Sequence, residues 1–231
     1  MDRKRLFEMF LEECKDHNEW WCGQGNPNAH IMIIGKEPYM DLKTNPISLQ
    51  EELQRQYERC KRGDFGNAKR GKNPTWCNYQ SLIEKVYKPK VEFNSGLFDF
   101  EKYAFTTELS SKPRKNSKYS EAKPFIQERL RFFEKSKFIQ DFPVIILACG
   151  GYIKNDDKVR EIDNTFHVEF SQEYGKKESK NRFWTHVDKN DPRRLVIHTR
   201  QLSNGVSCEM IDEMATIIRD HLEHLRKLGL I

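Results

Sequence analysis

His30-Ile31-Met32-Ile33-Ile34-Gly35-Lys36-Glu37-Pro38-Tyr39 is the stretch whose reading decides the fold. Residues 31–34 are apolar without alternation, which marks a strand buried on both faces. Such strands belong to parallel sheets covered by helices. Glu37 follows directly, so a carboxylate stands at the carboxyl end of the strand, where open α/β sheets bind ligands. A second stretch, Arg194-Leu195-Val196-Ile197-His198-Thr199-Arg200-Gln201-Leu202-Ser203, is another apolar strand, ending in a histidine. Glu37 and His198 are therefore candidates to face one pocket.

Working outward, helix and strand alternate. Leu6, Phe7, Phe10, Leu11 and Cys14 recur at helical spacing. A helix starting near Ser48 carries Leu49, Leu53, Tyr57 and Cys60, and a basic glycine-rich loop runs from Lys61 to Lys72. Thr75 is placed to cap a helix bearing Tyr79, Leu82, Ile83 and Val86. A strand over about Lys102–Thr107 leads to a second basic loop, Lys112–Lys118. The helix of Phe125, Ile126, Arg129, Leu130 and Phe133 then precedes the most apolar strand, from Pro143 to Gly150-Gly151. Residues 167–170 and 182–187 read as an antiparallel hairpin. A last helix carries Ile211, Met214, Ile218, Leu222 and Leu225. The whole pattern predicts an α/β fold with a mostly parallel sheet covered on both faces.

At 231 residues the chain suffices for one core, and a single domain over 1–231 is expected. The net charge of +5 is small against 40 basic and 35 acidic residues, so its distribution matters more than its size. The N-terminus lacks the apolar stretch of a signal peptide, and the run from Val144 to Cys149 is too short to cross a bilayer. Six scattered cysteines without a Cys-x-x-Cys pair point to reduced thiols in the cytoplasm and give no support to a metal site. No cofactor, no membrane partner and a monomer are expected.

Five segments in order resemble the uracil-DNA glycosylase superfamily. Gly35-Lys36-Glu37-Pro38-Tyr39 is similar to its Gly-Gln-Asp-Pro-Tyr motif, with Glu for Asp. Asn73-Pro74-Thr75-Trp76-Cys77-Asn78 resembles the Pro-Pro-Ser-Leu loop, Phe105-Thr106-Thr107-Glu108-Leu109 the strand ending in a uracil-reading Asn, and residues 144–151 the apolar strand ending in Gly. His198-Thr199-Arg200-Gln201-Leu202-Ser203 is similar to His-Pro-Ser-Pro-Leu-Ser. The order agrees across roughly residues 30–205, while the hairpin over 160–190 has no counterpart. The resemblance implies a three-layer α/β/α sandwich around a four-stranded parallel sheet, with an inserted antiparallel hairpin near 166–187. It also implies a DNA glycosylase-like activity: hydrolysis of the N-glycosidic bond of a damaged or deaminated base flipped out of DNA, single-stranded or distorted duplex. The alternative is an inactive relative that binds nucleic acid or a nucleotide.

Breaking that bond needs a carboxylate to orient water and oppose sugar cation, and a donor for the departing base. Glu37 and His198 have these side chains. By the same resemblance Tyr39 packs beside the base, and Phe65 is the stacking platform by its position between the first two motifs. Pro74, Thr75 and Trp76 press on the DNA backbone, and Leu202, next to Ser203, enters the duplex. Lys112, Arg114, Lys115 and Arg200 are expected to hold phosphates. Glu108 stands where the family has Asn, and an ionised Glu is acceptor-only. Glu108 is protonated, or the ligand presents amino groups there, or the register is off, or uracil excision has been lost. A doubly wound enzyme on a small phosphorylated ligand is the remaining reading. Gly35-Lys36-Glu37-Pro38 has only one glycine, and its proline lacks a donor, so it is no phosphate loop.

Overall fold

The computed structural model describes residues 2–16, 21–39, 48–113 and 118–231. Its elements in chain order are α1 (Arg3–Asp16), β1 (Gln24–Gly25), β2 (Ile31–Gly35), α2 (Leu49–Arg62), β3 (Ala68–Lys69) and α3 (Pro74–Tyr87). They continue through β4 (Leu97–Phe98), β5 (Ala104–Glu108), α4 (Tyr119–Lys135), α5 (Lys137–Gln140), β6 (Val144–Leu147) and α6 (Glu161–Phe166). The last are β7 (Glu169–Tyr174), β8 (Phe183–Val187), β9 (Leu195–Thr199) and α7 (Cys208–Lys227). The fold is mixed α/β.

The main sheet has seven strands in the order β1-β5-β2-β6-β9-β8-β7. Its centre, β5-β2-β6-β9, is parallel, with Ile31 opposite both Ala104 and Val144, and Val144 opposite Leu195. The sheet extends on both sides beyond the four parallel strands expected. β1 adds an antiparallel strand at one edge, and the hairpin β7–β8 joins the other by antiparallel pairing of β8 with β9. Two residues of β1 carry no periodicity, which is why the sequence hides that strand.

Pleating sorts the buried side chains. Met32, Ile34, Ile145, Leu147 and Val196 face a cluster completed by α1, α4 and α5. Ile31, Ile33, Val144, Ile146, Leu195 and Ile197 face one completed by α3 and α7. Helices therefore cover both faces, as unbroken apolar strands require. α3 forms because Asn73 accepts from the N–H groups of Thr75 and Trp76, Pro74 takes the first helical position, and Tyr79, Leu82, Ile83 and Val86 share one buried face. Asn73, not Thr75, is the cap: the proline after it already fits the first turn. α2 begins with a capping box in which Ser48 and Glu51 satisfy each other's backbone. No described helix is long and apolar enough to cross a membrane.

The chain enters the parallel sheet at β2, moves to β5 on one side, then crosses to β6 on the other. The loops after β2 and β6 consequently diverge, opening a crevice at the carboxyl ends of these two strands. Crevices at such switch points are where open α/β sheets hold ligands.

Candidate active site at the strand ends

Glu37 is the second residue past β2, and the turn Cys149–Tyr152 follows β6, so the two flank the crevice. The buried Tyr152 hydroxyl donates across it to the Glu37 carboxylate, at 3.1 and 3.0 Å from its two oxygens. The Lys36 ammonium lies 5.0 Å from the centre of the Tyr152 ring. Gly150 turns the chain with a φ of 54°, a left-handed conformation suited to glycine.

Glu108 ends β5 directly opposite Gly35 of β2. A Cβ on Gly35 would run into the Glu108 carboxyl, so the glycine is what makes room for it. No hydrogen bond or ion pair from the described residues engages this carboxyl. Burial, and then the negative charge of Glu37, push Glu108 up to about 8, against the opposing pull of Arg129. At neutral pH Glu108 is therefore largely a carboxylic acid. Tyr79 of α3 is buried close by, and its hydroxyl is held well above the usual phenol range by burial and by Glu108.

His198 stands two strands from Glu37, with β6 between, about 10 Å at the usual strand spacing. It is still within β9, on the face opposite to that of its neighbours Ile197 and Thr199, and opposite to Glu108's face as well. Its Nε2 lies 3.0 Å from the Gly150 carbonyl oxygen, which can only accept, so Nε2 carries the proton. Burial pulls His198 down to about 4, so the ring is neutral. Its other contact is with the Trp184 ring, 5.4 Å between centroids. The structure thus brings the Glu37 charge close enough to raise Glu108, and links His198 to Glu37 only through the turn between Gly150 and Tyr152.

The remaining expected residues are dispersed. Tyr39 is 74% exposed rather than packed beside a pocket. Phe65 packs near Gly63 in the loop after α2, and the adjacent Gly66 N–H bonds Glu101 ahead of β5. That places Phe65 at the far end of β5 from Glu108, about 13 Å along the strand, so it is no platform for this site. Leu202 is fully buried among the residues of α3 and α7 and is a core residue, not a wedge. Its apolar character identified it, but the same character fits a core equally well. Arg200 folds back to donate to the Asn204 and Gly205 carbonyls. Trp76 is spent on edge contacts with Phe98 and Phe100. Pro74 and Thr75 start α3, which Asn78 ties to the Ser203 carbonyl, so these two segments do adjoin. The Lys112 ammonium sits 4.8 Å from the Phe125 ring centre. Arg114 and Lys115 lie outside the described residues.

Sequence reasoning missed Tyr152. Its only signal was its position directly after the glycines that close an apolar strand. It also missed the pairing of Asp163 with His186 on the hairpin side, because the two come from elements with no motif between them. No model of a known protein family matches this chain, and no curated protein matches it.

Proposed function

We propose that this chain is a DNA glycosylase-like protein of the uracil-DNA glycosylase superfamily, hydrolysing the N-glycosidic bond of a damaged or deaminated base flipped out of DNA. The observation that carries this reading is the pair Glu37–Glu108 at the carboxyl ends of adjacent parallel strands. One carboxylate is held by a tyrosine hydroxyl, and the other is kept protonated beside it. A carboxyl kept protonated at neutral pH, with a second carboxyl close enough to act on it, is an arrangement suited to an acid and a base sharing one reaction.

In this reading Glu37 orients a water, opposes the cationic sugar and takes the water's proton. The water oxygen bonds C1′ as the bond from C1′ to the base nitrogen breaks. Glu108 gives its proton to the departing base. A protonated Glu108 also removes the objection to its position: its O–H donates and its C=O accepts, the same pairing an Asn amide offers a uracil-like edge. The DNA side rests on the tie between the first turns of α3 and the 198–203 segment, through Asn78 and the Ser203 carbonyl, and on the basic loop over 61–72.

A second reading is binding without cleavage. It is favoured by His198, whose only N–H is occupied by the Gly150 carbonyl and is not offered to a base. The test is a release screen on oligonucleotides carrying uracil, hypoxanthine, xanthine and alkylated bases, beside Glu37→Gln and Glu108→Gln. Base release that falls at least about a hundredfold in Glu37→Gln supports hydrolysis. Salt-sensitive DNA binding without release selects the binder, and neither release nor binding rejects both readings.

A further inference from the structure

The hairpin β7–β8, which has no counterpart in the family motifs, borders a second cavity. Phe170, Trp184, His186 and His198 lie on one face of the sheet edge, since Phe170 is opposite His186, and Trp184 opposite His198. They floor a cavity of about 580 Å³, walled by the segment from Ile153 to Asp163. Its size is that of a small-molecule site.

His186 is 2% exposed. Its Nδ1 lies 3.2 Å from Asp163 Oδ1, and a carboxylate only accepts, so Nδ1 carries the proton. Burial, working against Asp163, holds His186 below the usual imidazole range, so the ring is neutral. Nε2 is then a bare lone pair, and it has no hydrogen-bond partner among the described residues. Asp163 is fully engaged: it also accepts from the Asn155 amide and the Arg160 guanidinium, and its backbone N–H donates to Asn155. This scaffold fixes the imidazole and its tautomer. A buried acceptor left unpaired costs free energy that a donor on a ligand recovers.

We propose that the hairpin cavity binds a planar, purine-sized heterocycle, stacked on the Trp184 indole and donating a ring N–H to His186 Nε2. The indole lies beside the acceptor, and the Arg182 guanidinium 5.3 Å from its ring centre does not line the cavity. Of the other polar lining groups, Asn155 and Asp163 bond each other, His198 bonds the Gly150 carbonyl, and Lys154, Asp156, Asp157 and Arg160 are exposed. The site goes beyond the proposed reaction at Glu37 and Glu108, since neither of those residues lines it.

Calorimetric titration of the full chain with xanthine, and with the same ring methylated at its N–H positions, tests the proposal without any mutation. Saturable binding of xanthine and at least about tenfold weaker binding of the methylated ring are expected, the worth of one buried hydrogen bond. Trp184→Leu and His186→Phe should each weaken xanthine about tenfold or more, with melting curves checking that both variants fold. The doubly substituted Glu37→Gln, Glu108→Gln protein should bind xanthine as the parent does. Equal affinity for both rings, no saturable binding, or loss of binding in the double Glu variant overturns the proposal. The last outcome would move the ligand to the strand-end crevice and leave the proposed function standing.

Discussion

Gly35 and Glu108 are register partners on neighbouring parallel strands, and the carboxyl of Glu108 fills the space where a side chain on Gly35 would stand. The glycine of the Gly-Lys-Glu-Pro segment is thereby explained by its neighbour, not by its own backbone. Gly35→Ala should displace the Glu108 carboxyl. Base release or base binding should fall at least about tenfold, with a stability change of about 1–3 kcal/mol from overpacking. Parallel activity and melting measurements check this, and undiminished activity would separate Glu108 from the site.

The protonation of Glu108 gives a pH signature. Its folded-state pKa is raised from 4.5 to about 8, so between these values the folded chain holds a proton that the unfolded chain has lost. Stability contributed by this group is therefore greatest at acid pH, declines as pH rises from about 4.5 to about 8, and is flat above. Glu108→Gln should abolish that decline in denaturant melts across the range. If Glu108 is the acid in the reaction, wild-type activity should fall as pH rises past about 8.

Tyr152→Phe removes the hydroxyl that both Glu37 oxygens accept from. The ring is kept, so stability should drop by only about 1 kcal/mol. Activity should drop by about tenfold or more as Glu37 loses its orientation. Base release at the wild-type rate by Tyr152→Phe would mean that Glu37 is positioned by other contacts.

Leu202→Ala should behave as a core mutation, costing about 2–5 kcal/mol in melting experiments, because the side chain is fully buried. DNA affinity, measured well below the melting temperature, should be unchanged. Weaker DNA binding with unaltered stability would restore the wedge assigned by motif.

What the sequence made legible follows from which forces leave a local trace. β2, β6 and β9 were visible because each is buried on both faces and so runs apolar without a break. α3 was visible from its spacing, although the rule that Ser, Thr, Asp and Asn all cap left Thr75 and Asn73 to be separated by Pro74. β7 is exposed along nearly its whole length, and only its partner β8 betrayed it. Glu37 was legible as a residue beyond a strand. The state of Glu108 was not, because it depends on burial and on a charge more than seventy residues away. Leu202 is buried where the motif led one to expect a protruding wedge, because a motif gives the residue but not the direction of its side chain.

The two rims of the sheet are defended differently from its centre. One rim is the two-residue β1, too short to template another strand. The other is β7, broken by a register shift between Phe170 and Gln172 and carrying Glu169 and Glu173, which pair with Lys189 and Arg182. Irregular, charged or very short edges disfavour strand-by-strand accretion onto a neighbouring molecule. The hairpin that floors the second cavity therefore also gives the apolar sheet an edge unsuited to strand addition.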